Sequence, residues 1–277
     1  MRALAPPTEF DGDAFRNAVG SSFSSPGGRW RAVAVCGRGG TAEVWHAIAR
    51  DGREAAFKRL RPELQQRADL RDRLRREFEL LRNVASSCLV RALEIIECDD
   101  GPALVLEYLP NGDLVSLVGT APQHWLPALR SVLDALRTLH EHGLAHGDVK
   151  ARNVLFAPDQ SARLIDLTSA RAVDAPALRS TAAYSLPAGM PATARAADCF
   201  AVAVLLYELT TGRLPYGADG PNRTDEFASP KSSANPSVAR LAAAATAMLA
   251  AGGRLPQGLP WFADVIESVS ASTHLTL

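Results

Sequence analysis

The hydrophobic pattern of the chain changes at Leu109–Asp113, the segment "LPNGD". From residue 30 up to this segment, apolar residues mostly come in short runs separated by Gly, Asp or Pro, which is typical of strands and turns. After it, apolar residues recur every three or four positions over long stretches, which indicates helices. This change predicts an α+β fold with two lobes, an N-terminal lobe over residues 30–108 and a mainly helical C-terminal lobe over residues 109–277.

The N-terminal lobe is predicted to be a five-stranded antiparallel sheet with one helix. The helix is expected where Leu70, Leu74, Phe78 and Leu81 repeat at helical spacing, with charged residues on the opposite face. The strands are expected in the runs "WRAVAVC", "EVWHAIA", "REAAFKR", "LVRALEIIEC" and "ALVLEY". Residues 1–29 are rich in Pro, Gly and Ser, so we expect a flexible lead-in with one short helix near Asp13–Val19.

The C-terminal lobe is predicted to be built mostly from four helices. A first helix, "PQHWLPALRSVLDALRTLHEHG", has apolar residues on one face and is expected to stop at Gly143. Residues 198–211 form a second, strongly apolar helix, and two more helices are expected after a polar loop at residues 217–236. The only strands expected here are the short runs "VLF" and "ARLID".

Composition excludes several classes of protein. The formal net charge is zero, which argues against a broad nucleic-acid surface. No apolar run is long enough to span a membrane, and the N-terminus has no apolar signal core. The four cysteines are scattered without metal-binding spacing and indicate free thiols in a reducing compartment. We therefore expect a cytoplasmic location.

A glycine cluster, Gly37, Gly39 and Gly40, lies between the first two predicted strands. Glycines in such a hairpin let the backbone approach a ligand closely and turn its N–H groups toward phosphate oxygens. A plain tight turn would have the same composition. The cluster is not a dinucleotide-binding fingerprint, because a strand follows it instead of a helix.

Lys58 and Glu77 could form an ion pair that holds the ammonium against phosphate groups. Lys58 belongs to an apolar strand, and Glu77 belongs to the predicted helix that follows. Only three of the 30 basic residues are lysines, which suggests that the compact ammonium is needed where it is kept. The alternative is that both side chains are ordinary solvated charges.

The stretch "HGDVKARNVLF" brings Asp148, Lys150 and Asn153 within six residues. Its carboxylate could orient a hydroxyl and accept its proton, its ammonium could meet a migrating phosphoryl group, and its amide oxygen could bind Mg²⁺. Asp166 ends a later apolar strand, where a metal ion would give a buried carboxylate a partner. An ordinary polar loop remains the alternative for each signal alone.

The order of these signals, from glycine hairpin to final Asp, is that of the protein-kinase motif set. From Trp30 to about Ile266 the chain resembles the eukaryotic-type (Hanks-type) Ser/Thr protein kinases of bacteria. The segments "GRGGTAEVWHA", "AAFKRLRPEL", "REFELLRNV", "LVLEYLPNGDL", "HGDVKARNVL", "IDL", "AAYSLPA" and "ADCFAVAVLLYELTTGRLPY" carry the resemblance. It implies a two-lobed protein-kinase-like fold and the transfer of the γ-phosphate of ATP, with Mg²⁺, to Ser or Thr hydroxyls of protein substrates.

The resemblance also implies a role for each matching residue. Asp148 would be the catalytic base, Lys150 would contact the γ-phosphate, and Lys58 would hold the α- and β-phosphates while pairing with Glu77. Asn153 and Asp166 would bind Mg²⁺, and Asp198 would brace the catalytic loop. The remaining nucleotide contacts would come from Gly37, Gly39, Gly40, Val44, Ala56, Glu107, Leu109, Asp113 and Leu155.

Three positions depart from the family pattern. Gly147 replaces the Arg that usually pairs with a phosphate on the activation segment, which is the stretch after "IDL" that ends at "AAYSLPA". We therefore expect no need for such a phosphate. Thr168 replaces the Gly of Asp-Phe-Gly, which should restrict flipping of that loop. Ala188 replaces the Glu of Ala-Pro-Glu, whose usual partner would correspond to Arg254.

Two other functions stay open at this point. The three departures together would suit a pseudokinase that acts as a regulatory binding module. The spelling His146-Gly147-Asp148 is also used by aminoglycoside- and choline-type kinases, which would make the chain a small-molecule phosphotransferase. The long apolar helix at residues 198–211 argues against this second alternative. If the chain is a protein kinase, its partners are a protein substrate and, we expect, a regulatory protein.

Overall fold

The computed structural model describes residues 23–25, 28–98, 101–187, 190, 192–221, 235–251 and 258–274. The helix expected near Asp13–Val19 and the candidate partner Arg254 lie outside these ranges. Contacts within the chain divide it into two compact units. The first comprises the residues up to Arg75 together with Ala92–Tyr108, and the second comprises Arg76–Arg91 together with Leu109–Leu277.

The first unit contains an antiparallel sheet of six strands in the order β1-β2-β3-β4-β6-β5. The five strands predicted from Trp30 onward are confirmed, and β1 is an additional short strand that pairs with the start of β2. The strands are β1 (Phe23–Ser25), β2 (Gly28–Arg38), β3 (Ala42–Ala49), β4 (Glu54–Leu60), β5 (Ala92–Cys98) and β6 (Gly101–Glu107). The predicted helix is α1 (Ala68–Asn83), which begins in the first unit and ends in the second.

Alternation along the strands gives this sheet two different faces. Trp45, Phe57 and Val105 form one row across β3, β4 and β6, and all three are buried in the core of the unit. The next row, Val44, Lys58 and Leu104, therefore points to the opposite face. The predicted phosphate-binding lysine thus lies on the face opposite the row of Trp45, Phe57 and Val105.

The second unit is mainly helical, as predicted. Its helices are α2 (Pro122–Glu141), α3 (Ala194–Thr211), α4 (Pro236–Ala250) and α5 (Gly258–His274). Its short strands form two pairs, β7 (Leu144–Ala145) with β10 (Arg171–Ala172), and β8 (Val154–Phe156) with β9 (Ala162–Leu164). The runs "VLF" and "ARLID" are thus confirmed as strands, whereas the pairing of β7 with β10 was not predicted.

Helix α3 is the central packing element of this unit. Its segment from Asp198 to Tyr207 is buried on every side, which explains why its sequence is apolar all round. The Thr193 hydroxyl accepts the N–H of Ala196 and so begins the helix, and Gly212, with φ +73°, ends it. The helix begins four residues before the predicted position. It places Asp198 in the core, next to the loop at residues 146–153.

None of the helices that the structure describes is long and apolar enough to cross a membrane.

Candidate active site

The loop at residues 146–153 connects β7 to β8 and is held in place by Asp198, a buried residue of α3. This carboxylate is 1% exposed and accepts backbone N–H groups from His146 and Gly147, both at 2.8 Å. Nε2 of the buried His140 lies 2.9 Å from its Oδ2 and donates a third hydrogen bond. Both oxygens of this buried carboxylate thus have donors, so Asp198 holds the loop at a defined position.

The His146 side chain ties this loop to the end of β9. Its Nε2 lies 3.0 Å from the carbonyl oxygen of Ile165, and its Nδ1 lies 3.2 Å from the backbone nitrogen of Asp148. Because a carbonyl only accepts and an amide N–H only donates, Nε2 carries the hydrogen and Nδ1 carries the lone pair. The imidazole therefore links the backbone of Asp148 to Ile165, the residue before Asp166.

Asp148, Lys150 and Thr181 form a closed ring of hydrogen bonds. Lys150 Nζ donates to Asp148 Oδ2 at 2.6 Å and to Thr181 Oγ1 at 2.8 Å. The Thr181 hydroxyl in turn donates to Asp148 Oδ1 at 2.7 Å. Burial by itself raises the pKa of the Asp148 carboxyl, but the bonds from Lys150 and Thr181 outweigh burial and hold that pKa below its ordinary value. Asp148 is therefore a carboxylate at neutral pH.

Asn153 completes this cluster through its amide nitrogen. Its Nδ2 donates to the backbone oxygen of Asp148 at 2.8 Å and lies 3.2 Å from Oδ2 of the same residue. Its backbone oxygen accepts the N–H of Ile165 at 2.9 Å, which brings the start of the Asp166 loop beside it. Since the amide N–H groups are used on Asp148, the oxygen Oδ1 is the atom that remains for a metal ion.

Asp166 has a left-handed backbone, with φ +71° and ψ +77°. Its Oδ1 accepts the Thr168 hydroxyl at 2.6 Å, a hydrogen bond that the usual glycine could not donate. Thr168 lies in the short 3-10 turn Leu167–Ser169 without a positive φ, so it fits its place without strain. Whether this threonine restricts flipping of the loop stays a prediction.

Glu77 belongs to the part of α1 that lies in the second unit. It is 1% exposed, so the alternative of a solvated helix charge is wrong for this residue. Its Oε1 accepts the backbone N–H of Leu167 at 3.2 Å, next to Asp166. Lys58, on β4 of the first unit, is 7% exposed, which also excludes a solvated side chain. The predicted pairing of Lys58 with Glu77 stays a prediction.

The nucleotide-binding residues predicted in the first unit lie on its sheet. Val44 is directly opposite Lys58, and Ala56, two residues before Lys58, shares its face. Gly39 closes the hairpin by donating to the Ala42 carbonyl at 2.8 Å. Gly37 lies at the end of β2, Gly40 lies in the hairpin, and Glu107 is paired with Ala55 at the end of β6.

Of the corresponding residues of the second unit, Leu155 follows the loop at residues 146–153, and Asp113 pairs with it. Asp113 forms an isolated bridge with Leu155 on β8, and its side chain accepts the N–H of Val115 at 3.2 Å. Leu109 is buried. Asp113 and Leu155, which are 42 positions apart, are therefore neighbours, and their nucleotide-binding roles stay a prediction.

Thr181 is the site residue that sequence analysis missed. The sequence indicates it only as one of several hydroxyls in the activation segment that could be phosphorylated, with Thr168, Ser169, Ser180 and Tyr184. In the structure, Ser180 donates to the Gly147 carbonyl at 2.7 Å, and Tyr184 donates to Glu208. These hydroxyls therefore hold the segment in place, and Thr181 does so through the Asp148 carboxylate.

Replacing the Thr181 hydroxyl is expected to weaken the site. Thr181→Val keeps the shape but leaves Lys150 and Asp148 without one charge-assisted hydrogen bond each, so the phosphoryl transfer that the resemblance implies should fall by about tenfold or more. Thr181→Ser keeps the hydroxyl and should stay within about threefold of the unchanged protein, on the same reasoning. Steady-state assays of both variants test this, and equal rates for Val and Ser would contradict it.

The backbone conformation and the close packing at position 147 both require glycine. Its φ is +80°, and a Cβ at this position would lie 2.7 Å from the backbone oxygen of Ser169, closer than real Cβ contacts. Arginine, the residue usual in the family, would bring the same Cβ into that oxygen. Glycine at position 147 thus allows the loop at residues 146–153 to pack closely against the segment after Asp166.

Gly147→Ala is therefore expected to destabilise the protein more than a matched change at Gly143. Gly143 has φ +73° but open space around its Cβ position, so Gly143→Ala should lower the free energy of unfolding by about 1–2 kcal/mol. Gly147→Ala adds the clash with Ser169, which should cost a further 1–3 kcal/mol, roughly. Urea unfolding of both variants measures the difference, and equal losses would refute the packing argument.

The comparisons with known proteins agree with this geometry. The chain is 30% identical over 212 residues to "Serine/threonine-protein kinase pkn2" of Myxococcus xanthus, covering 70% of this chain and 25% of that protein. It is 33% identical over 213 residues to a "Probable serine/threonine-protein kinase" of Corynebacterium efficiens, covering 70% and 32%. For "Probable serine/threonine-protein kinase PknB" of Corynebacterium glutamicum the identity is 32% over 213 residues, covering 70% and 33%.

The chain thus spans about a quarter to a third of the length of these curated relatives. Residues 30–245 match the family described as "Protein kinase domain", which is more than half of the chain. This range includes the hydrogen-bonded ring of Asp148, Lys150 and Thr181, the metal-binding candidates and the buried Asp198. The chain belongs to the protein kinase domain family.

Proposed function

We propose that this chain is a Ser/Thr protein kinase that transfers the γ-phosphate of Mg-ATP to Ser or Thr hydroxyls of protein substrates. The observation that carries the proposal is the ring in which Lys150 and Thr181 hold both oxygens of Asp148. Such a ring keeps a carboxylate ionised and oriented, which is what a base for an incoming hydroxyl needs. The names of the bacterial relatives, all Ser/Thr protein kinases, support the same activity.

In the proposed reaction the acceptor hydroxyl is oriented by Asp148. The hydroxyl oxygen forms a bond to the γ-phosphorus, and the bond from that phosphorus to the bridging oxygen of ADP breaks. The acceptor proton passes to the Asp148 carboxylate, and the electron pair of the broken bond leaves on ADP. Lys150, which already contacts Asp148 Oδ2, offers its ammonium to the charge on the transferring phosphoryl group.

The side chains of Asn153 and Asp166 fit a magnesium ion that is held together with phosphate groups. Asn153 has its carbonyl oxygen to offer, and Asp166 offers a carboxylate whose Oδ1 already accepts Thr168. No group of three or more His, Cys, Asp and Glu side chains suits a metal in the part of the chain that the structure describes. Mg²⁺ commonly takes one or two protein oxygens and completes its shell with water and phosphate. When bound, the ion would neutralise phosphate charge.

For the nucleotide, the glycine hairpin gives independent support. An added Cβ at Gly37 or Gly40 would meet no atom within 4 Å, and neither glycine has a positive φ. The fold alone therefore does not require glycine at these positions, whereas a closely approaching phosphate would. We propose that Gly37, Gly39, Gly40 and Lys58 contact phosphates. Val44, Ala56, Glu107, Leu109, Asp113 and Leu155 keep the nucleotide-binding roles implied by the resemblance.

The departures from the family pattern do not remove any of these groups. Gly147 still donates its backbone N–H to the Asp198 carboxylate, and Thr168 adds a hydrogen bond to Asp166. Both observations favour an active kinase over a pseudokinase. The proposal includes catalysis without a phosphate that pairs with an Arg before Asp148. A regulatory protein partner stays a prediction.

The acceptor class is tested by incubating the purified chain with Mg²⁺ and γ-labelled ATP. One set of reactions contains a generic protein acceptor, and the other contains choline or an aminoglycoside. We expect label on the chain itself or on the protein acceptor, and none on the small alcohols. Label on a small alcohol alone would replace this proposal with a small-molecule phosphotransferase. Absence of label everywhere would favour a pseudokinase.

A further inference from the structure

A cavity of about 110 Å³ opens beside the catalytic carboxylate, entirely within the second unit. Its walls come from the catalytic loop, the activation segment and α3. Besides Asp148, the lining includes Leu178, Arg179, Ser180, Leu186, Pro187 and Ala201. The side chain of Leu178 is apolar and the residue is 60% exposed, more than any other large hydrophobic residue whose burial the structure describes. The cavity therefore offers an apolar surface next to the point of catalysis.

The exposed charges around this cavity are positive. Arg179 lines it and is exposed, and Arg152, four residues after Asp148, is also exposed. Within the described ranges, neither guanidinium has a carboxylate within ion-pair distance. Arg152 lies near Tyr184, another lining residue, since its charge acts on the Tyr184 phenol. The Arg179 guanidinium thus lines the cavity, and the exposed Arg152 lies near one of its lining residues.

The nearby carboxylates, in contrast, are already engaged. Asp148 is bonded to Lys150 and Thr181, and Asp198 accepts three hydrogen bonds in the core. Glu208 accepts the Tyr184 hydroxyl, and burial raises the pKa of its carboxyl although Tyr184 and Arg152 act in the opposite direction. A basic side chain arriving here would meet two cations and find these three carboxylates in use. An acidic side chain would meet available guanidinium groups.

We propose that the acceptor peptide of this chain carries an acidic side chain beside its Ser or Thr, which Arg179 and Arg152 bind. An apolar side chain of the same peptide packs into the cavity at Leu178. This inference rests on the proposed function and narrows its substrate class to acidic peptides. Arginine suits the role because its planar guanidinium binds carboxylates in two-point contact.

The test measures binding separately from catalysis. Labelled peptides carry Ala in place of the acceptor, an apolar residue beside it, and Glu, Gln or Lys scanned through the flanking positions. Dissociation constants are measured for the unchanged chain, for Arg179→Glu, and for Arg130→Glu, an exposed arginine of α2 that does not line the cavity. The same peptides with Ser restored report phosphoryl transfer from labelled Mg-ATP.

For at least one flanking position, the Glu peptide should bind the unchanged chain about five- to tenfold more tightly than the Lys peptide at low salt. Arg179→Glu should abolish or reverse this preference, Arg130→Glu should preserve it, and added salt should weaken it. Equal binding of the Glu and Lys peptides at every position, or the same preference in Arg179→Glu, would overturn the inference. Charge-selective binding without transfer to the Ser peptides would uphold it and count against the proposed function.

Discussion

Asp148→Asn is expected to lower the rate of phosphoryl transfer by about 10²–10⁴-fold, the usual contribution of a positioned general base. The amide keeps the shape of the carboxylate and its contact with Lys150, but it cannot accept the acceptor proton. The ring with Thr181 also loses its negative charge, so Lys150 is left without its counter-ion. The loss should appear in kcat more than in KM, because the base acts in the transition state.

The control for this prediction is Asp174→Asn, the same substitution at an exposed residue of the activation segment. It should leave the rate within about twofold, because surface substitutions away from the site have small effects. Circular dichroism should give equal spectra for both variants and the unchanged chain. An Asp148→Asn variant that keeps its rate would show that another group accepts the proton.

Asp198→Ala is expected to lower the free energy of unfolding by about 3–5 kcal/mol, the range for breaking a buried, fully bonded charge. The substitution removes the acceptor of His146 N–H, Gly147 N–H and His140 at once. The buried donors of His140 and His146 and the half-buried N–H of Gly147 then lose their partner, and a cavity replaces the carboxylate. A loss of this size is a large fraction of the stability of a typical domain.

Urea unfolding measures this loss. Asp134→Ala serves as the matched control, since Asp134 pairs with Arg137 on the exposed face of α2. Such surface pairs contribute about 0–1 kcal/mol, so the control should move the unfolding midpoint little. If Asp198→Ala unfolds at the same urea concentration as Asp134→Ala, the anchoring role of Asp198 is wrong.

Much of the fold follows from local patterns in the sequence. Strand β3 alternates between buried and half-buried positions, β4 and β6 are short apolar runs between turn residues, and helix α3 is apolar around its whole circumference. The strand β1 was not predicted because three residues in a Pro- and Gly-rich segment carry no measurable period. The β7–β10 pair could not be predicted for the same reason, because strands of two residues show no alternation.

The catalytic loop could be predicted because its residues are close in sequence. Asp148, Lys150 and Asn153 lie within six positions, and the structure brings them into one hydrogen-bonded cluster. Thr181 joins that cluster from a position 33 residues after Asp148, where nothing in its sequence context distinguishes it from Ser180. Only the tertiary path of the activation segment decides which hydroxyl reaches the carboxylate.

The sequence also identified Gly147 as a departure without giving its physical reason. Its consequence for activation was inferred from the side chain it lacks. The structure adds a steric cause, because Ser169 of the following segment occupies the space that any Cβ would need. Contacts between segments 22 residues apart leave no periodic trace in a single sequence.

The central claim, phosphoryl transfer to a protein hydroxyl with Asp148 as the base, is tested most directly by identifying the labelled amino acid. The unchanged chain and Asp148→Asn are incubated with γ-labelled Mg-ATP and a protein acceptor, and the acceptor is hydrolysed to amino acids. We predict labelled phosphoserine or phosphothreonine with the unchanged chain. The Asp148→Asn variant should give at least about 10²-fold less label. Equal label with both proteins, or none with either, would contradict the account.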